Sequence, residues 1–328
     1  MRLKLVSQDT AIDFMRLRRF TLPVSGALMV LSLLALLVLG LNFGIDFRGG
    51  SMIMAETEQE ADIAAYRAVL SDAAPADYSV TAISDPAAEL TGTARNAVMI
   101  RLGMAPGGES AQAEKVRTVQ AALEENIPTV RFLSVESVGA KVSGELVRAG
   151  VLAIVIAVAA VLFYIWLRFE WQFSLGAVAA LVHDVVLTVG LFSLIQLEFN
   201  LSIIAAILTI VGYSLNDTVV VFDRVRENLR RFKTRPLEEV LNLSINETLS
   251  RTVMTSLTTL LALVSLYILG GEVIRGFTLG MIWGVVVGTF SSVFIAATVL
   301  LRLGVTREPA TAVGPNIGGV QFGSPDAP

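Results

Sequence analysis

An acidic side chain lies inside an apolar stretch of this chain. Residues 199–216 carry no charge, Asp217 follows them, and the apolar pattern continues to Phe222. A carboxylate within a membrane is costly, so a chain retains one only where it is paired, protonated or hydrated. Asp217 is therefore a candidate functional residue, and the chemistry it suggests is proton binding.

Arg251 opens the next apolar run and is the candidate partner of Asp217. The two runs are consecutive and antiparallel, so the two side chains are expected at similar depth. Burial favours the protonated form of a carboxylate, and a nearby arginine favours the charged form. An aspartate balanced between the two can bind a proton from one side and release it to the other. We predict that Asp217 and Arg251 couple proton movement to a helix shift.

Two alternatives concern packing. In the first, Asp217 does not bind protons during function and is a polar group that only holds helices together. In the second, the guanidinium of Arg251 extends to the membrane edge and does not pair with Asp217. Glu247, four residues earlier, is placed to pair with it there.

Three more polar residues lie in apolar stretches. His183 and Asp184 are midway along one of them, and Asn216 precedes Asp217. Histidine titrates near neutral pH and suits a proton relay. Adjacent residues on a helix point about 100° apart, so both members of such a pair rarely face one site. For these residues a relay and hydrogen bonding between helices both stay open.

The segment from Gly44 to Gly50 leaves the first apolar stretch. Its glycines at 49 and 50 permit a turn or a close backbone approach where a helix gives way to a strand. We interpret Phe47, Gly49 and Gly50 as a possible hinge motif.

Composition places these residues in a membrane protein. The 328 residues are 54% hydrophobic, with a mean hydropathy of +0.68, and about 20 apolar residues suffice for a spanning helix. Six transmembrane helices are predicted, at residues 20–45, 147–167, 172–196, 199–222, 249–270 and 276–301. The first is not expected to be a cleaved signal peptide, because its apolar core is too long and no Ala-x-Ala site follows.

Lysine and arginine predict the orientation, because they accumulate in cytoplasmic segments. The segments expected inside are 1–19, 223–248 and 302–328, so both termini are cytoplasmic. We expect 223–248 to be an amphipathic loop with a helix that begins near Pro236, capped by Thr234. That helix lies on the anionic inner leaflet or docks a partner. The tail is rich in Gly, Pro and Ala and is expected to be disordered.

Residues 46–146 form the one large segment between spans, on the periplasmic side. Their pattern reads strand, helix, strand, strand, helix, strand, which predicts an α+β ferredoxin-like domain.

Several classes of chemistry are disfavoured. The chain has no cysteine and a single histidine, so thiolate chemistry and a multi-histidine metal site are excluded. No nucleophile–base pair, phosphate loop or metal cluster is evident. We therefore predict no enzyme activity, no cofactor, no metal and no nucleic acid partner.

Several blocks of sequence resemble the SecD/SecF family of bacterial protein-export membrane proteins, and its SecF members in particular. They cover nearly the whole chain: Phe43–Gly50, Arg168–Trp171, Ala180–Val185, Gly212–Asn228 and Ser244–Ser256. The family's charged pair in the fourth and fifth spans maps onto Asp217 and Arg251.

The resemblance implies a function beyond what the residues alone indicate. It implies a SecD partner and a joint twelve-helix assembly of the resistance-nodulation-division type, of which this chain supplies half. It also implies association with the SecYEG channel and further accessory subunits, contact with unfolded translocating polypeptide, and use of the proton-motive force in the bacterial inner membrane.

Two other classes of protein compete with this interpretation. One is a proton-driven antiporter of small molecules or lipids, although such pumps carry duplicated external domains and no internal repeat is evident here. The other is an assembly factor without transport of its own, in which Asp217 has only a packing role.

Overall fold

The computed structural model describes residues 10–58, 62–74, 77–83 and 96–305. Its helices, in chain order, are α1 (Phe14–Val38), α2 (Ile45–Arg48), α3 (Ile63–Ala73), α4 (Glu109–Asn126), α5 (Ala140–Arg168), α6 (Trp171–Ile195), α7 (Leu201–Arg231), α8 (Leu237–Leu269), α9 (Glu272–Ser291), a π-helical turn (Ser292–Ala296) and α10 (Ala297–Leu303). Within the described ranges, six helices are long and apolar enough to cross a membrane: α1, α5, α6, α7, α8 and the continuous α9–α10 helix. This confirms the predicted number of spans. Residues 1–9 and 306–328, which include most of the expected tail, lie outside the described residues.

The ends of the helices differ from the charge-free runs. For the first span the run is 20–45, whereas α1 begins at Phe14 because the Asp13 carboxylate accepts a hydrogen bond from the Arg16 N–H at 3.0 Å and caps the helix. That hydrogen bond also lowers the pKa of Asp13. Gly40, with φ +68°, follows the end of the helix. Charged residues limit the apolar runs, whereas capping residues limit the helices, and the two need not coincide. The structure gives the ends of the helices, so the membrane boundaries themselves stay predictions.

The polar segment 223–248 extends its two flanking helices and does not form a separate surface helix. α7 continues to Arg231 and α8 begins at Leu237, running unbroken to Leu269. Pro236, and not Thr234, is the N-cap of α8, and it makes no side-chain hydrogen bond. Apolar residues of the first turns of α8 are buried in the core of the bundle: Val240, Leu241 and Ile245. The prediction of a Thr234 cap and of a helix lying flat on the leaflet is therefore wrong.

Two asparagines of α8 hold the start of α1. Asn242 Oδ1 accepts from the Met15 N–H, and its Nδ2 donates to Asp13 Oδ1. Asn246 accepts from the Ile12 N–H and donates to the Ile12 carbonyl. The amide side chains thus bind the Met15 N–H, which the first turn of the helix leaves without a partner, and both backbone groups of Ile12.

In the described residues of the domain between α1 and α5 there are four strands, β1 (Gly50–Thr57), β2 (Tyr78–Ile83), β3 (Asn96–Leu102) and β4 (Arg131–Val138). They form an antiparallel sheet in the order β2-β3-β1-β4, with α3 and α4 packed on one face. The shared core includes Ile53, Tyr66, Leu70, Ile100, Val119 and Leu123. This topology confirms the predicted ferredoxin-like domain.

The membrane helices divide into central and peripheral ones. In their most apolar windows, 50% of α6, 50% of α7 and 61% of the α9–α10 helix is buried, against 17% of α1, 11% of α5 and 11% of α8. The polar residues of interest therefore lie on the helices with the most protein around them.

Candidate proton-coupling site

Asp217 lies in the interior of the bundle, on α7. The residue is only 3% exposed. The oxygen Oδ2 is buried and has no hydrogen-bond partner among the described residues. A buried carboxylate oxygen without a donor is costly when charged, so this group has a strong reason to bind a proton or water.

Arg251 lies on α8 and is exposed. It interacts electrostatically with Asp217, but within the described part of the chain it forms no ion pair shorter than 4 Å. The proposed competitor, Glu247, is bound elsewhere: Arg224 Nε donates to it at 2.6 Å, and Asn228 Nδ2 donates at 2.6 Å. The alternative pairing of Glu247 with Arg251 is therefore wrong.

Asp184 is the centre of a second buried polar cluster. Its Oδ1 lies 2.9 Å from Nδ1 of His183, and its Oδ2 accepts from Ser214 Oγ at 2.5 Å and from Ser291 Oγ at 2.8 Å. All four residues are buried. The Asp184 carboxylate thus joins α6, α7 and α9. Its contact on α7, Ser214, lies about one helical turn before Asp217.

His183 takes part in the same cluster. Its ring packs on Phe290 with the centroids 6.1 Å apart, and its Nε2 is buried without a partner among the described residues. The expectation that adjacent residues would not share a site fails here, because the two side chains turn towards each other across the angle between them. Asn216, by contrast, is exposed and has no side-chain hydrogen bond to a described residue.

A row of hydroxyls extends the polar region to α8. Tyr213 Oη donates to Ser256 Oγ at 3.5 Å, and Ser256 Oγ lies 2.7 Å from Thr289 Oγ1. Sequence reasoning missed Thr289 and Ser291. The available signal was a set of hydroxyl residues within the apolar run 276–301.

Glycines on α9 let it approach α7 closely at this level. A Cβ added to Gly284 would lie 2.2 Å from Ile210 Cγ1, and one added to Gly288 would lie 3.0 Å from Ser214 Cβ. Small residues allow such close packing of membrane helices. α7 and α9, two of the three helices that carry the polar cluster, are therefore closely packed at this level.

The possible hinge motif forms a compact corner. Gly49 has φ +73° and Gly50 has φ +122°, a region that residues with a Cβ rarely adopt. The ring of Phe47 packs against those of Phe43 and Phe199, at centroid distances of 5.9 and 6.0 Å. The segment is thus bent as predicted, while its role as a hinge stays a prediction.

This corner is tied to the start of α7. Asp46 Oδ2 accepts from the Leu201 N–H at 3.0 Å, so it helps to cap the helix that carries Asp217. The Gly44 N–H donates to the Phe199 carbonyl at 2.9 Å. On the domain side, Arg101 of β3 forms an ion pair with Glu198 in the loop between α6 and α7.

Comparisons with known proteins match this architecture. The family model described as "Protein export membrane protein SecD/SecF, C-terminal" matches residues 118–306, and the one described as "SecD/SecF GG Motif" matches residues 34–61. A protein translocase subunit SecF from Cereibacter sphaeroides is 51% identical over 329 residues, which is 99% of each chain.

Solved structures give the same result. SecDF from Thermus thermophilus, a translocon-associated membrane protein, matches with a TM-score of 0.79 and 32% identity over 91% of this chain. SecDF in a super-membrane-facing form matches with a TM-score of 0.65 and 33% identity over 90% of this chain. In both comparisons this chain spans only 39% of the SecDF chain. The chain is therefore a multi-pass membrane protein that belongs to the SecD/SecF family of protein-export membrane proteins and resembles its SecF members over nearly its whole length.

Proposed function

We propose that the chain is an accessory subunit of the Sec protein-export translocase that converts the proton-motive force into movement, with Asp217 as the proton-binding group. The chain is not an enzyme, because its relatives are translocase subunits. Its contribution is a change of shape and not a change of covalent bonds.

The observation that carries the proposal is the environment of Asp217. The carboxylate is buried, one of its oxygens lacks a donor among the described residues, and Arg251 lies within electrostatic influence but beyond ion-pair distance. A tight ion pair would hold the carboxylate permanently charged, and complete isolation would hold it permanently neutral. The observed intermediate arrangement suits a group that changes its protonation during a cycle.

The energy available is sufficient for a mechanical step. One elementary charge crossing 100 mV is worth about 2.3 kcal/mol. Neutralising Asp217 removes its attraction to Arg251, which favours a shift of α8 against α7. Because Asp46 caps α7 and Arg101 pairs with Glu198, movement of α7 is transmitted to the ferredoxin-like domain.

The partners follow from the family and from the size of the chain. The chain spans 39% of SecDF, so we propose that a separate SecD subunit supplies the remaining helices of a resistance-nodulation-division type bundle. The exposed apolar faces of α1, α5 and α8 are available to that subunit and to lipid. We further propose that the pair acts at the SecYEG channel on unfolded polypeptide, in the bacterial inner membrane with both termini cytoplasmic.

The test is Asp217→Asn in inverted membrane vesicles that carry the translocase. Export of a radiolabelled precursor is measured with and without a protonophore. Asp217→Asn should reduce export to the level that the parent shows with the protonophore. Glu239→Gln removes an exposed carboxylate in the first turn of α8 and should export normally.

Assembly is measured in the same vesicles by co-purification with SecD. Retained assembly with lost gradient-dependent export supports coupling and rules out a purely structural role. Full gradient-dependent export by Asp217→Asn would overturn the proposal.

A further inference from the structure

An open groove of about 430 Å³ lies where the end of α5 meets the polar end of α7. Its lining is almost entirely charged: Arg168, Asp223, Arg226, Glu227, Arg230 and Arg231. On the predicted orientation, this end of the bundle is cytoplasmic. The proposed proton coupling does not use this groove.

The two acids in the groove are already paired. Asp223 Oδ1 lies 2.8 Å from Arg168 Nη2, and Glu227 Oε2 lies 2.7 Å from Arg224 Nη1. The other three arginines of the lining, Arg226, Arg230 and Arg231, form no ion pair within 4 Å with any residue in the described ranges. The groove therefore presents an excess of guanidinium groups to whatever occupies it.

The neighbouring surface is apolar and aromatic. Phe163, Trp166 and Leu167, in the last two turns of α5 before Arg168, are 59%, 63% and 65% exposed. Trp171, the first residue of α6, is 56% exposed. Tryptophan is typical of the membrane–water interface. The apolar surface thus runs along α5 directly up to the arginines.

We propose that this groove binds the phosphate of an anionic phospholipid, whose acyl chains lie along the exposed face of α5. Guanidinium groups bind phosphate oxygens through paired N–H donors in a fixed geometry, which an ammonium group does not reproduce. Basic pockets at the cytoplasmic ends of membrane helices recognise lipid headgroups by this chemistry. The continuity of arginines with apolar surface favours a lipid over a soluble phosphate.

The experiment uses the full chain, purified with its partner, in nanodiscs containing phosphatidylglycerol and phosphatidylcholine in equal amounts. Native mass spectrometry counts the lipids retained. The parent should retain phosphatidylglycerol preferentially. The triple variant Arg226→Gln, Arg230→Gln, Arg231→Gln should lose this preference, by about fivefold for each arginine removed.

Two matched variants distinguish a built site from general positive charge. Arg16→Gln, Arg19→Gln and Arg302→Gln remove three exposed arginines at the same end of the bundle and should leave the preference unchanged. Lysine at 226, 230 and 231 keeps the charge and should restore only part of the preference.

Three outcomes overturn the proposal. One is an unchanged lipid preference in the triple glutamine variant with a normal melting temperature. Another is an equal loss in the matched control. The last is displacement of the retained lipid by inorganic phosphate at low millimolar concentration, which would identify a soluble anion as the occupant.

Discussion

Arg101, on β3 of the ferredoxin-like domain, forms an ion pair with Glu198 in the loop that leads into α7. The side chains are only 25% and 18% exposed, so solvent screens the pair less than it screens a surface pair. Asp46 lies close enough to influence Glu198 and caps α7 through Leu201. The domain and the helix that carries Asp217 are thus joined through side chains as well as through the chain itself.

This joint predicts a pH dependence of stability. Burial raises the pKa of Glu198 above its ordinary 4.5, Arg101 opposes this rise, and Asp46 adds to it. A carboxyl with a raised folded-state pKa binds its proton more tightly in the folded protein, so its stabilising contribution is complete below the unfolded-state pKa and is lost as the pH rises through the folded-state pKa.

The melting temperature in detergent should therefore fall as the pH rises just above 4.5, and Glu198→Gln should remove that part of the slope. Glu136→Gln, at an exposed carboxylate of β4, should leave the slope in place. An identical slope in Glu198→Gln would contradict the prediction.

The ion pair between Arg101 and Glu198 also predicts that removing Arg101 loosens the position of the ferredoxin-like domain relative to the membrane helices. The chain has no cysteine, so spin labels on introduced cysteines at the exposed positions Ser79 of β2 and Leu194 of α6 are specific. Arg101→Gln should broaden the distance distribution between these labels, because Glu198 loses its partner. Arg117→Gln, at an exposed site on α4, is the control. A distribution as narrow as that of the parent would show that the ion pair does not position the domain.

Two glycines with positive φ, Gly50 and Gly40, are predicted to differ in how much an alanine substitution lowers the free energy of unfolding. Gly50 has φ +122°, and a Cβ there would lie 2.4 Å from the Leu102 carbonyl oxygen, which is backbone and cannot rotate away. Gly50→Ala should lower the free energy of unfolding by about 2–3 kcal/mol from strain and overlap together.

Gly40 also has positive φ, at +68°, but a Cβ there meets nothing within 4 Å. Gly40→Ala should therefore lower the free energy of unfolding only through backbone strain, by about 1 kcal/mol, as measured by thermal or denaturant unfolding. Equal effects of the two substitutions would mean that the close approach at Gly50 does not matter.

Much of the architecture was predictable because it depends on local pattern. Charge-free runs predicted six spans, and alternating apolar residues between the first two predicted the ferredoxin-like domain. The depth of Asp217 in an apolar stretch likewise marked it as buried. These are properties of single segments, which the sequence displays directly.

Contacts between segments were less predictable. Glu247 was a plausible partner for Arg251 by its spacing of four, yet it binds Arg224 and Asn228, which only the packing of α7 on α8 brings near it. Ser291 was missed for the same reason, because its partner Asp184 is 107 residues away. Helix ends were also less predictable from apolar runs, because a cap such as Asp13 lies outside the run.

The Asp184 cluster predicts different outcomes for two adjacent serines. Ser291 Oγ donates to Asp184 across helices at 2.8 Å and also to the Gly288 carbonyl, whereas among the described residues Ser292 Oγ donates only to the Thr289 carbonyl of its own helix. Both are fully buried, so alanine removes the same volume. Ser291→Ala should be the more destabilising by about 0.5–1.5 kcal/mol, measured by unfolding in mixed micelles. The opposite order would mean that the cluster does not hold α6 and α9 together.

The separation of Asp217 from Arg251 predicts that their substitutions are not additive. If Arg251 acts through the charge of Asp217, then Arg251→Gln should reduce gradient-dependent export, and adding it to Asp217→Asn should cause no further loss. Groups more than 4 Å apart in a bundle still couple when little water lies between them, and a double-mutant cycle measures that coupling. Glu247→Gln perturbs the same stretch of α8 through Arg224 and should add its effect independently to that of Asp217→Asn. If the losses from Arg251→Gln and Asp217→Asn simply add, the arginine acts elsewhere, and Asp217 must exchange its proton without it.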